Sequence, residues 1–507
     1  MKSLNSLAHL PGFAPVAALV LGGAAALAFA PVGWHWLMIL SLAGLLALLE
    51  NKTPRQGFVL GLLFGMGLFG VGVSWIYISL TQYGGMAMWL GALATLLFCL
   101  LLALFPALAA WLTMRLALGR ASAVRWCLIF PSAWTLMEWV RSWLFTGFPW
   151  LSAGYAQVPD GVLSGYAPLF GVFGVSWLSA FCAGTLVWLL RDAWLPGKWL
   201  VPLALFVGLL GAGEGLKRVG WTQPVGAPFR VALVQGNIAQ DMKWRPEKAA
   251  QTLMQYAEQI AQTNARLVVL PETAFPMFFQ DLPPGFTQQL EAWAKRQDTE
   301  VLFGVPTGEI DGRYYNSVAS IGYSPTQFYH KQHLVAFGEF VPPGFAWVVK
   351  VLHIPLSDFA RGEKYQAPLN VAGQKIAVNI CYEDAFGEEI IRALPEATLL
   401  VNVTNDAWFG DSFASWQHAQ MSQMRALETG RFMLRATNTG VTAIINQKGR
   451  VLVALPEFTQ DVLSGEAQAY SGATPYVRWG NWPVVLFWLF ILAWFALQTA
   501  KKKKVTN

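Results

Sequence analysis

The sequence predicts a polytopic α-helical membrane bundle of eight spans joined to a polar α/β domain. Of the 507 residues, 55% are hydrophobic and only 13% are charged, whereas about a quarter of the residues in a soluble domain are charged. Strands alternate with helices in the polar region, which indicates an α/β layered domain. We therefore expect a membrane domain with seven transmembrane helices at 1–220, a polar domain at 221–470, and a last span with a basic tail at 471–507.

The membrane prediction depends on eight apolar segments, several of which approach the ~20 residues that cross a bilayer core. Tryptophans lie near their ends, as in an aromatic belt. The segments are residues 12–30, 34–50, 57–80, 87–115, 125–143, 166–190, 199–215 and 482–500. Pro131, Glu138 and Arg141 interrupt the fifth, so an interfacial helix is the alternative there. Ala28-Phe29-Ala30 in the first resembles a signal-peptide cleavage site, but we expect an uncleaved anchor.

The basic residues orient these spans. If all eight segments cross, the lysines and arginines that follow or precede them fall on one side, which the positive-inside rule assigns to the cytoplasm. These residues are Lys2, Lys52, Arg55, Arg115, Arg120, Arg125, Arg191, Lys198 and the run Lys501 to Lys504. Both termini are then cytoplasmic and the polar domain lies outside. The net charge of +6 is explained by these loops and this tail, so nucleic acid is not an expected partner.

A candidate nucleophile closes a short strand of the polar domain. Residues 375–380 alternate polar and apolar and run into Cys381, beside Glu383 and Asp384. Side chains at strand ends point into the cleft that the following loop forms. The four cysteines suggest no disulfide framework. A small buried hydrophobe is the alternative reading of Cys381.

Two further strand ends carry complementary chemistry. The apolar strand at 267–270 runs into Glu272, and Lys331 follows another strand. A carboxylate that deprotonates a thiol, a lysine that stabilises an oxyanion, and a thiolate that attacks a carbonyl carbon form an acyl-transfer set. We therefore predict Glu272, Lys331 and Cys381 as catalytic residues.

The order PET, YHKQHL, CYED, with about fifty to sixty residues between members, resembles the Glu-Lys-Cys triad of the nitrilase superfamily of carbon–nitrogen hydrolases. The motifs HLVAFGEFVP and VNVTNDAWFG and the apolar segments are similar to those of the apolipoprotein N-acyltransferase family of integral membrane enzymes. These motifs cover roughly residues 229 to 450. The resemblance implies an αββα sandwich for the polar domain.

The resemblance also implies supporting residues. Glu339 in FGEF would position Lys331 or hold the protonation state of the site, with a structural salt bridge as the alternative. Tyr382 and Glu383 would support the nucleophile. His333 is expected to be a packed structural histidine, because Glu272 already fills the role of base. We expect no metal, because the histidines and Cys381 lack ligand spacing, and no cofactor.

Five tryptophans are candidate lipid contacts. Trp347 belongs to the apolar run 345–352, which we expect to be a membrane-facing arm, with a core helix as the alternative. Trp244 in MKWRP and Trp408 in NDAWFG resemble places where the family handles lipid. Trp143 and Trp150 would help to form a headgroup rim near Glu138 and Arg141, which alternatively form a structural ion pair.

The expected function is N-acylation of the diacylglyceryl-cysteine at the N-terminus of apolipoproteins, with a phospholipid as acyl donor. A thioester on Cys381 would form and then react with the amine, releasing lysophospholipid first. The substrates come from the resemblance, which also implies the bacterial inner membrane with the catalytic domain facing the periplasm. A membrane-tethered amidase or nitrilase and a transporter or scaffold without catalysis are the alternatives.

Overall fold

The computed structural model describes residues 12–117, 119–192, 197–243, 245–342, 344 and 358–506. The chain divides into two compact units. The helical unit comprises Met1–Ser74, Ala92–Val219 and Trp479–Asn507, and the sheet unit comprises Trp75–Gly91 and Gly220–Arg478. The sheet unit therefore contains a short segment from the N-terminal half of the chain, between two apolar helices.

A helix lies in each segment that the sequence predicts as a span. The first seven are α1 (Phe13–Ala26), α2 (His35–Leu49), α3 (Pro54–Gly72), α4 (Met88–Leu116), α5 (Phe130–Arg141), α6 (Ala167–Asp192) and α7 (Leu200–Leu216). A turn of π-helix, Arg125–Ile129, leads into α5. The C-terminal helix is Trp482–Thr506.

Within the described residues, four helical segments are long and apolar enough to cross a membrane. These are Pro54–Gly72, Met88–Leu116, Val162–Arg191 and Trp482–Lys501. Helices α1, α2 and α7 are apolar but shorter. With the helical residues before it, α5 completes a continuous helix from Ser122 to Arg141, which is about 30 Å long. Arg125, Glu138 and Arg141 make this helix less apolar than the four above. The chain therefore has several membrane-length helices, and eight spans remain a prediction.

Small residues let helices of the helical unit approach closely. A Cβ on Gly22 of α1 would lie 1.9 Å from the carbonyl oxygen of Phe64 in α3, and one on Gly67 of α3 would lie 2.0 Å from that of Leu19. Helix backbones in membrane proteins commonly meet at such positions. The glycines of α1 and α3 therefore set the distance between these two helices.

The sheet unit contains two six-stranded mixed sheets within its described residues. The strands are β1 (Gln223–Gln235), β2 (Leu267–Val269), β3 (Glu300–Gly308), β4 (Tyr314–Ile321), β5 (Phe328–His330), β6 (Leu369–Val371), β7 (Gln374–Ile380), β8 (Leu399–Thr404), β9 (Met433–Thr437), β10 (Ala443–Ile445), β11 (Val451–Ala454) and β12 (Asp461–Ser471). The sheet orders are β12-β1-β2-β3-β4-β5 and β11-β10-β9-β8-β7-β6. Strands β1–β3 are parallel to one another, as are β7–β9.

Helices accompany these strands. They are α8 (Gln240–Lys243), α9 (Pro246–Ala261), α10 (Phe286–Arg296), α11 (Gly387–Ile390), α12 (Ala414–Thr429) and α13 (Pro475–Trp479), and the C-terminal helix of the helical unit is α14 (Trp482–Thr506). The strands that the sequence predicts at 267–270 and 375–380 are present as β2 and β7.

The two sheets pack face to face over a shared apolar core. Leu233 and Val269 of the first sheet join Ile376 and Val401 of the second in this core. The next residue along β1, Val234, faces the opposite way and packs with Tyr256 of α9 and Leu290 of α10. Ala426 of α12 packs against the outer face of the second sheet. The layers are therefore helix, sheet, sheet, helix, as the resemblance implies.

Parallel strands bring their carboxyl ends to one edge of a sheet. Glu272 follows β2, while Cys381 and Asn405 follow the neighbouring parallel strands β7 and β8. This topology places chemistry-bearing residues from distant parts of the sequence at one edge of the layered unit.

Candidate active site

Cys381 opens a turn of 3-10 helix, Cys381–Ala385, directly after β7. Its φ is +53°, in the left-handed region that residues with a side chain seldom adopt. Its carbonyl oxygen accepts hydrogen bonds from Nδ2 of Asn402 at 3.1 Å and from Nε2 of His418 at 3.1 Å. A strained backbone that is held from outside is typical of functional positions.

The carboxylate of Glu272 is fixed by three groups. Oε1 accepts a hydrogen bond from Nδ2 of Asn316 at 2.8 Å and lies 3.4 Å from Nζ of Lys331. Oε2 accepts from the backbone N–H of Asn405 at 3.1 Å. Only 7% of Glu272 is exposed. A buried carboxylate with these partners is held in one orientation.

Lys331 lies between two glutamates. Its Nζ is 2.9 Å from Oε1 of Glu339 and 3.4 Å from Oε1 of Glu272. Nδ2 of Asn316 donates to both carboxylates, at 2.9 Å to Glu339 and 2.8 Å to Glu272. Glu339 therefore contacts Lys331 and shares a hydrogen-bond donor with Glu272, and its positioning role stays a prediction.

The electrostatics of the three predicted residues favour a neutral thiol beside an ionised carboxylate. Burial raises the pKa of Cys381 well above its usual range, the charge of Glu272 raises it further, and Lys331 opposes both. Burial by itself would raise the pKa of Glu272, but the ammonium groups of Lys331 and Lys243 outweigh it, and this pKa lies below its usual value. Burial also disfavours the charge of Lys331, yet Glu339 and Glu272 raise its pKa. The thiol therefore needs a base, and Glu272 is in the form that can act as one.

Glu383 joins the turn of Cys381 to the turn of Lys331. Its Oε2 accepts from the backbone N–H of Ile380 at 2.7 Å, and its Oε1 accepts from the backbone N–H groups of Gln332 at 2.7 Å and His333 at 3.1 Å. Burial raises the pKa of Glu383 to about 7, against the effect of these hydrogen bonds. Glu383 therefore links the segment around Cys381 to the segment that follows Lys331.

The neighbouring aromatic groups are packed. The ring of Tyr382 contacts those of His333 and Phe386. The His333 ring stacks on Phe386 with centroids 3.6 Å apart, and its Nδ1 lies 3.3 Å from Glu389. These contacts agree with the expectation of a structural histidine.

A buried charged cluster lies beneath Cys381. Nδ1 of His418 lies 2.9 Å from Asp406, and its Nε2 lies 2.8 Å from Asp384. Arg435 contacts the same two carboxylates, at 3.1 Å to Asp384 and 2.8 Å to Asp406. Through His418, this cluster supports the carbonyl group of the strained Cys381.

The predicted lipid contacts differ in position. Trp408 is 40% exposed in the turn Ala407–Phe409, and Trp143 is 51% exposed. Trp150 is only 1% exposed and stacks on Phe148, so the structure places it in the interior of the helical unit and not on a rim. Trp244 and Trp347, with the run 345–352, lie outside the described residues.

Glu138 and Arg141 both hold the segment that follows α5. Arg141 donates to the carbonyl oxygens of Phe148 at 2.5 Å and Trp150 at 2.6 Å. Glu138 accepts from the backbone N–H of Ala153 at 2.9 Å. These bonds to the main chain favour the structural alternative for the two charges.

Three residues of the site were missed from the sequence. Asn316 lies in the middle of β4, Asn405 follows β8, and Lys243 ends the short helix α8. Asn405 stands in NDAWFG, and Lys243 precedes the tryptophan of MKWRP, so these motifs were the available signals. Asn316 carries no pattern, because only the register of β4 brings it to the site.

Comparisons with known proteins cover both units. Residues 21–185 match the family model described as the apolipoprotein N-acyltransferase N-terminal domain, and residues 230–476 match that of carbon-nitrogen hydrolase. The apolipoprotein N-acyltransferase of Nitrosomonas europaea is 49% identical over 474 residues, covering 92% of this chain and 94% of the relative. That of Methylococcus capsulatus is 49% identical over 465 residues, covering 90% and 91%. That of Ralstonia nicotianae is 48% identical over 488 residues, covering 94% and 92%.

Proposed function

This chain belongs to the apolipoprotein N-acyltransferase family, and we propose that it moves an acyl chain from a phospholipid to the N-terminal diacylglyceryl-cysteine of a lipoprotein through a thioester on Cys381. The similarity extends over both units, which supports an acyltransferase that N-acylates lipoproteins and disfavours an amidase that only shares the catalytic fold. The observation that carries the mechanism is the contact between Glu272 and Lys331 beside Cys381. The charges of both residues act on the pKa of the Cys381 thiol.

In the first half-reaction Glu272 takes the Sγ–H proton while Sγ of Cys381 attacks the ester carbonyl carbon of the phospholipid. Lys331 and a backbone N–H next to Cys381 stabilise the tetrahedral oxyanion. When the C–O bond breaks, the lysophospholipid oxygen takes the proton from Glu272. The products are a thioester and a neutral alcohol, and Glu272 is again ionised.

In the second half-reaction the neutral α-amino group of the lipoprotein's cysteine attacks the thioester carbonyl. Glu272 accepts a proton from this nitrogen as the C–N bond forms. The thiolate leaves and recovers the proton from Glu272. A thioester suits this role because it stays reactive toward amines.

For the whole chain we propose eight spans in the bacterial inner membrane, with both termini cytoplasmic and the sheet unit in the periplasm. The distribution of lysines and arginines over the short loops and the C-terminal run supports this arrangement. The bilayer then contains the phospholipid donor, and the lipoprotein acceptor is anchored in the same membrane by its diacylglyceryl group.

Mass spectrometry tests the covalent step. With donor phospholipid and no acceptor, the wild-type protein should gain the mass of one acyl chain on Cys381, and neutral hydroxylamine should remove it. Cys381→Ala should abolish both lysophospholipid release and acyl transfer in a protein that remains folded. Cys381→Ser should be nearly as inactive, because a hydroxyl is harder to deprotonate than a thiol. Acyl transfer by Cys381→Ala at a measurable fraction of the wild-type rate would contradict the thioester mechanism.

A further inference from the structure

Lys243 is a buried lysine at the site that the mechanism above does not use. It ends α8, is 4% exposed, and its Nζ donates a hydrogen bond to the backbone carbonyl oxygen of Glu272 at 2.9 Å. Lysines are almost never buried without a partner, because their charge is costly to remove from water. The position of Lys243 therefore calls for an electrostatic reason.

The short helix α8, which carries Lys243, is hydrogen-bonded to the residues around Glu272. Oε1 of Gln240, three residues earlier in α8, accepts a hydrogen bond from Nδ2 of Asn405 at 2.6 Å. The backbone N–H of the same Asn405 donates to the carboxylate of Glu272. Glu272 is thus held through its main chain by Lys243 and through its side chain by the residue that anchors α8.

The charges of the neighbouring groups give an electrostatic reason for Lys243. Two carboxylates, the buried Glu272 and the partly buried Glu339, contact one ammonium group, that of Lys331. Lys243 supplies a second positive charge next to Glu272, which brings these four groups to neutrality. Without it the group carries a net negative charge, and a negative site favours protonation of Glu272 and opposes formation of a thiolate.

The titratable groups around Glu272 and Cys381 are Lys331, Lys243, Glu339, Asp406 and Glu383. Asp406 and Glu383 are left out of the charge count above. Asp406 is paired with Arg435 and His418. Glu383 accepts from backbone N–H groups and from the hydroxyl of Tyr329. Neither group replaces the charge of Lys243.

The titration of Lys243 agrees with this role. Burial lowers its pKa to about 8, while the charges of Glu272 and Cys381 hold it up. The ammonium is therefore still the main form at neutral pH. Its charge, together with that of Lys331, lowers the pKa of Glu272 against the effect of burial.

We propose that Lys243 is a positioning residue that keeps Glu272 ionised and holds its main chain in place, so that Glu272 can accept the proton of Cys381. The role rests on the proposed function, because it concerns the base of that mechanism. It adds a second cation to the Glu-Lys-Cys set.

The test is the pH dependence of the first half-reaction, with donor phospholipid and no acceptor, so that titration of the acceptor amine plays no part. Rates are compared as the ratio of variant to wild type at each pH, because Glu383, whose pKa is about 7, titrates in both proteins between about pH 5 and about pH 8. In Lys243→Met the pKa of Glu272 rises, so the profile of this ratio should fall about tenfold from the neutral end to the acid end. Lys243→Arg keeps the positive charge and should restore a level profile of the ratio.

Lys248→Met is the matched control, since Nζ of Lys248 bonds to Gln251 at the surface of α9. It should behave as the wild type. A Lys243→Met rate reduced by the same factor at every pH would overturn the proposal, because that is the result of a purely structural role. So would a Lys243→Arg profile that falls at acid pH like that of Lys243→Met.

If Lys243→Met does not accumulate as folded protein, Lys243→Gln takes its place, because glutamine is neutral but still donates to the carbonyl oxygen of Glu272. A level profile for Lys243→Gln would equally overturn the proposal. A wild-type protein that gains no acyl mass would contradict the thioester mechanism instead. The same comparison of pH profiles would then be made on overall N-acylation.

Discussion

At the scale of single residues, the site depends on hydrogen-bond donors that stabilise two neighbouring carboxylates. Glu272 and Glu339 lie on either side of Lys331, and Asn316 donates to both. Two carboxylates so close share a proton unless donors and cations stabilise both charges. Asn316 therefore stabilises the ionised form of Glu272 together with Lys331.

Asn316→Ala should slow acylation of Cys381 by about 10- to 100-fold, because the carboxylates of Glu272 and Glu339 both lose a donor. Asn316→Asp should be slower still, because a third carboxylate raises the pKa of Glu272. Single-turnover release of lysophospholipid measures both effects. Asn370→Ala, on the exposed face of β6, serves as the control. Equal rates for Asn316→Ala and the wild type would show that Asn316 does not help to organise the site.

Sequence reasoning proposed Cys381, Glu272 and Lys331 because each follows a recognisable strand and belongs to a motif. The structure brings Glu272 and Lys331 into contact, and the catalytic roles stay predictions. Sequence reasoning could not find Asn316, because an asparagine inside a strand is unremarkable until the partner strands are known. Lys243 could not be recognised from the sequence for a different reason. A lysine in a polar loop is normally solvated, and only the fold shows that this one is buried.

At the scale of secondary-structure elements, α12 supports the end of β7. Its His418 reaches the carbonyl group of Cys381 and two carboxylates, Asp384 and Asp406. Burial would lower the pKa of His418, but these carboxylates raise it to about 9. The imidazolium form therefore stabilises the folded sheet unit.

The sign of the pH effect follows from this raised pKa. The stabilisation is fully present below about pH 6.5, where the unfolded chain also carries the charge, and it is lost as the pH rises through about 9. We expect a loss on the order of 3 kcal/mol over this range. In His418→Gln, which is neutral but retains a donor, the melting temperature should be lower at pH 6.5 and should depend less on pH. The same slope in both proteins would exclude His418 as its source.

The segment between α3 and α4 belongs with the sheet unit. Oγ of Ser79 donates to the carbonyl oxygen of Trp408 at 2.7 Å, and the rings of Trp75 and Phe409 have centroids 4.7 Å apart. The sequence predicted residues 57–80 as one span, but α3 ends at Gly72. Apolar residues such as Trp75 and Ile78 extend a hydropathy pattern whether they contact lipid or protein, so this boundary could not be predicted.

These contacts should hold the turn Ala407–Phe409 in place. In the full chain carrying Trp75→Ala and Ser79→Ala, the backbone amides of residues 407–410 should exchange hydrogen several-fold faster, because local opening costs less free energy. Hydrogen-exchange mass spectrometry measures this. The amides of β8, which end just before the turn, provide the internal reference. Unchanged exchange at 407–410 would mean that Trp75 and Ser79 do not help to hold the turn, and that contacts within residues 220–478 are sufficient.

At the scale of the whole molecule, membrane topology decides which side the chemistry faces. The proposed eight spans place the C-terminal lysine run in the cytoplasm and the sheet unit in the periplasm. A periplasm-dependent reporter should be active when inserted near Gly226 and inactive when fused after Asn507. A cytoplasm-dependent reporter should give the opposite pattern. Activity on the wrong side would overturn the proposed orientation.

The sequence predicts some features of the architecture better than others. Composition and hydropathy indicated a membrane chain with a polar α/β domain. The pairing of two sheets was implied only by the resemblance, because periodicity describes a strand and not its neighbours. Helix α3, which ends at Gly72 within the predicted span 57–80, shows why the bounds of spans are harder to predict, since hydropathy does not reveal where a helix ends.

The left-handed backbone of Cys381 also has an evolutionary consequence. Glycine and asparagine adopt this conformation more readily than cysteine does, so stability alone does not select the residue found there. Under the proposed mechanism, it is the demand for a nucleophile that retains a thiol at this position. In a lineage that stopped acylating its lipoproteins, this codon would be among the first to change, and the protein would remain folded while it did.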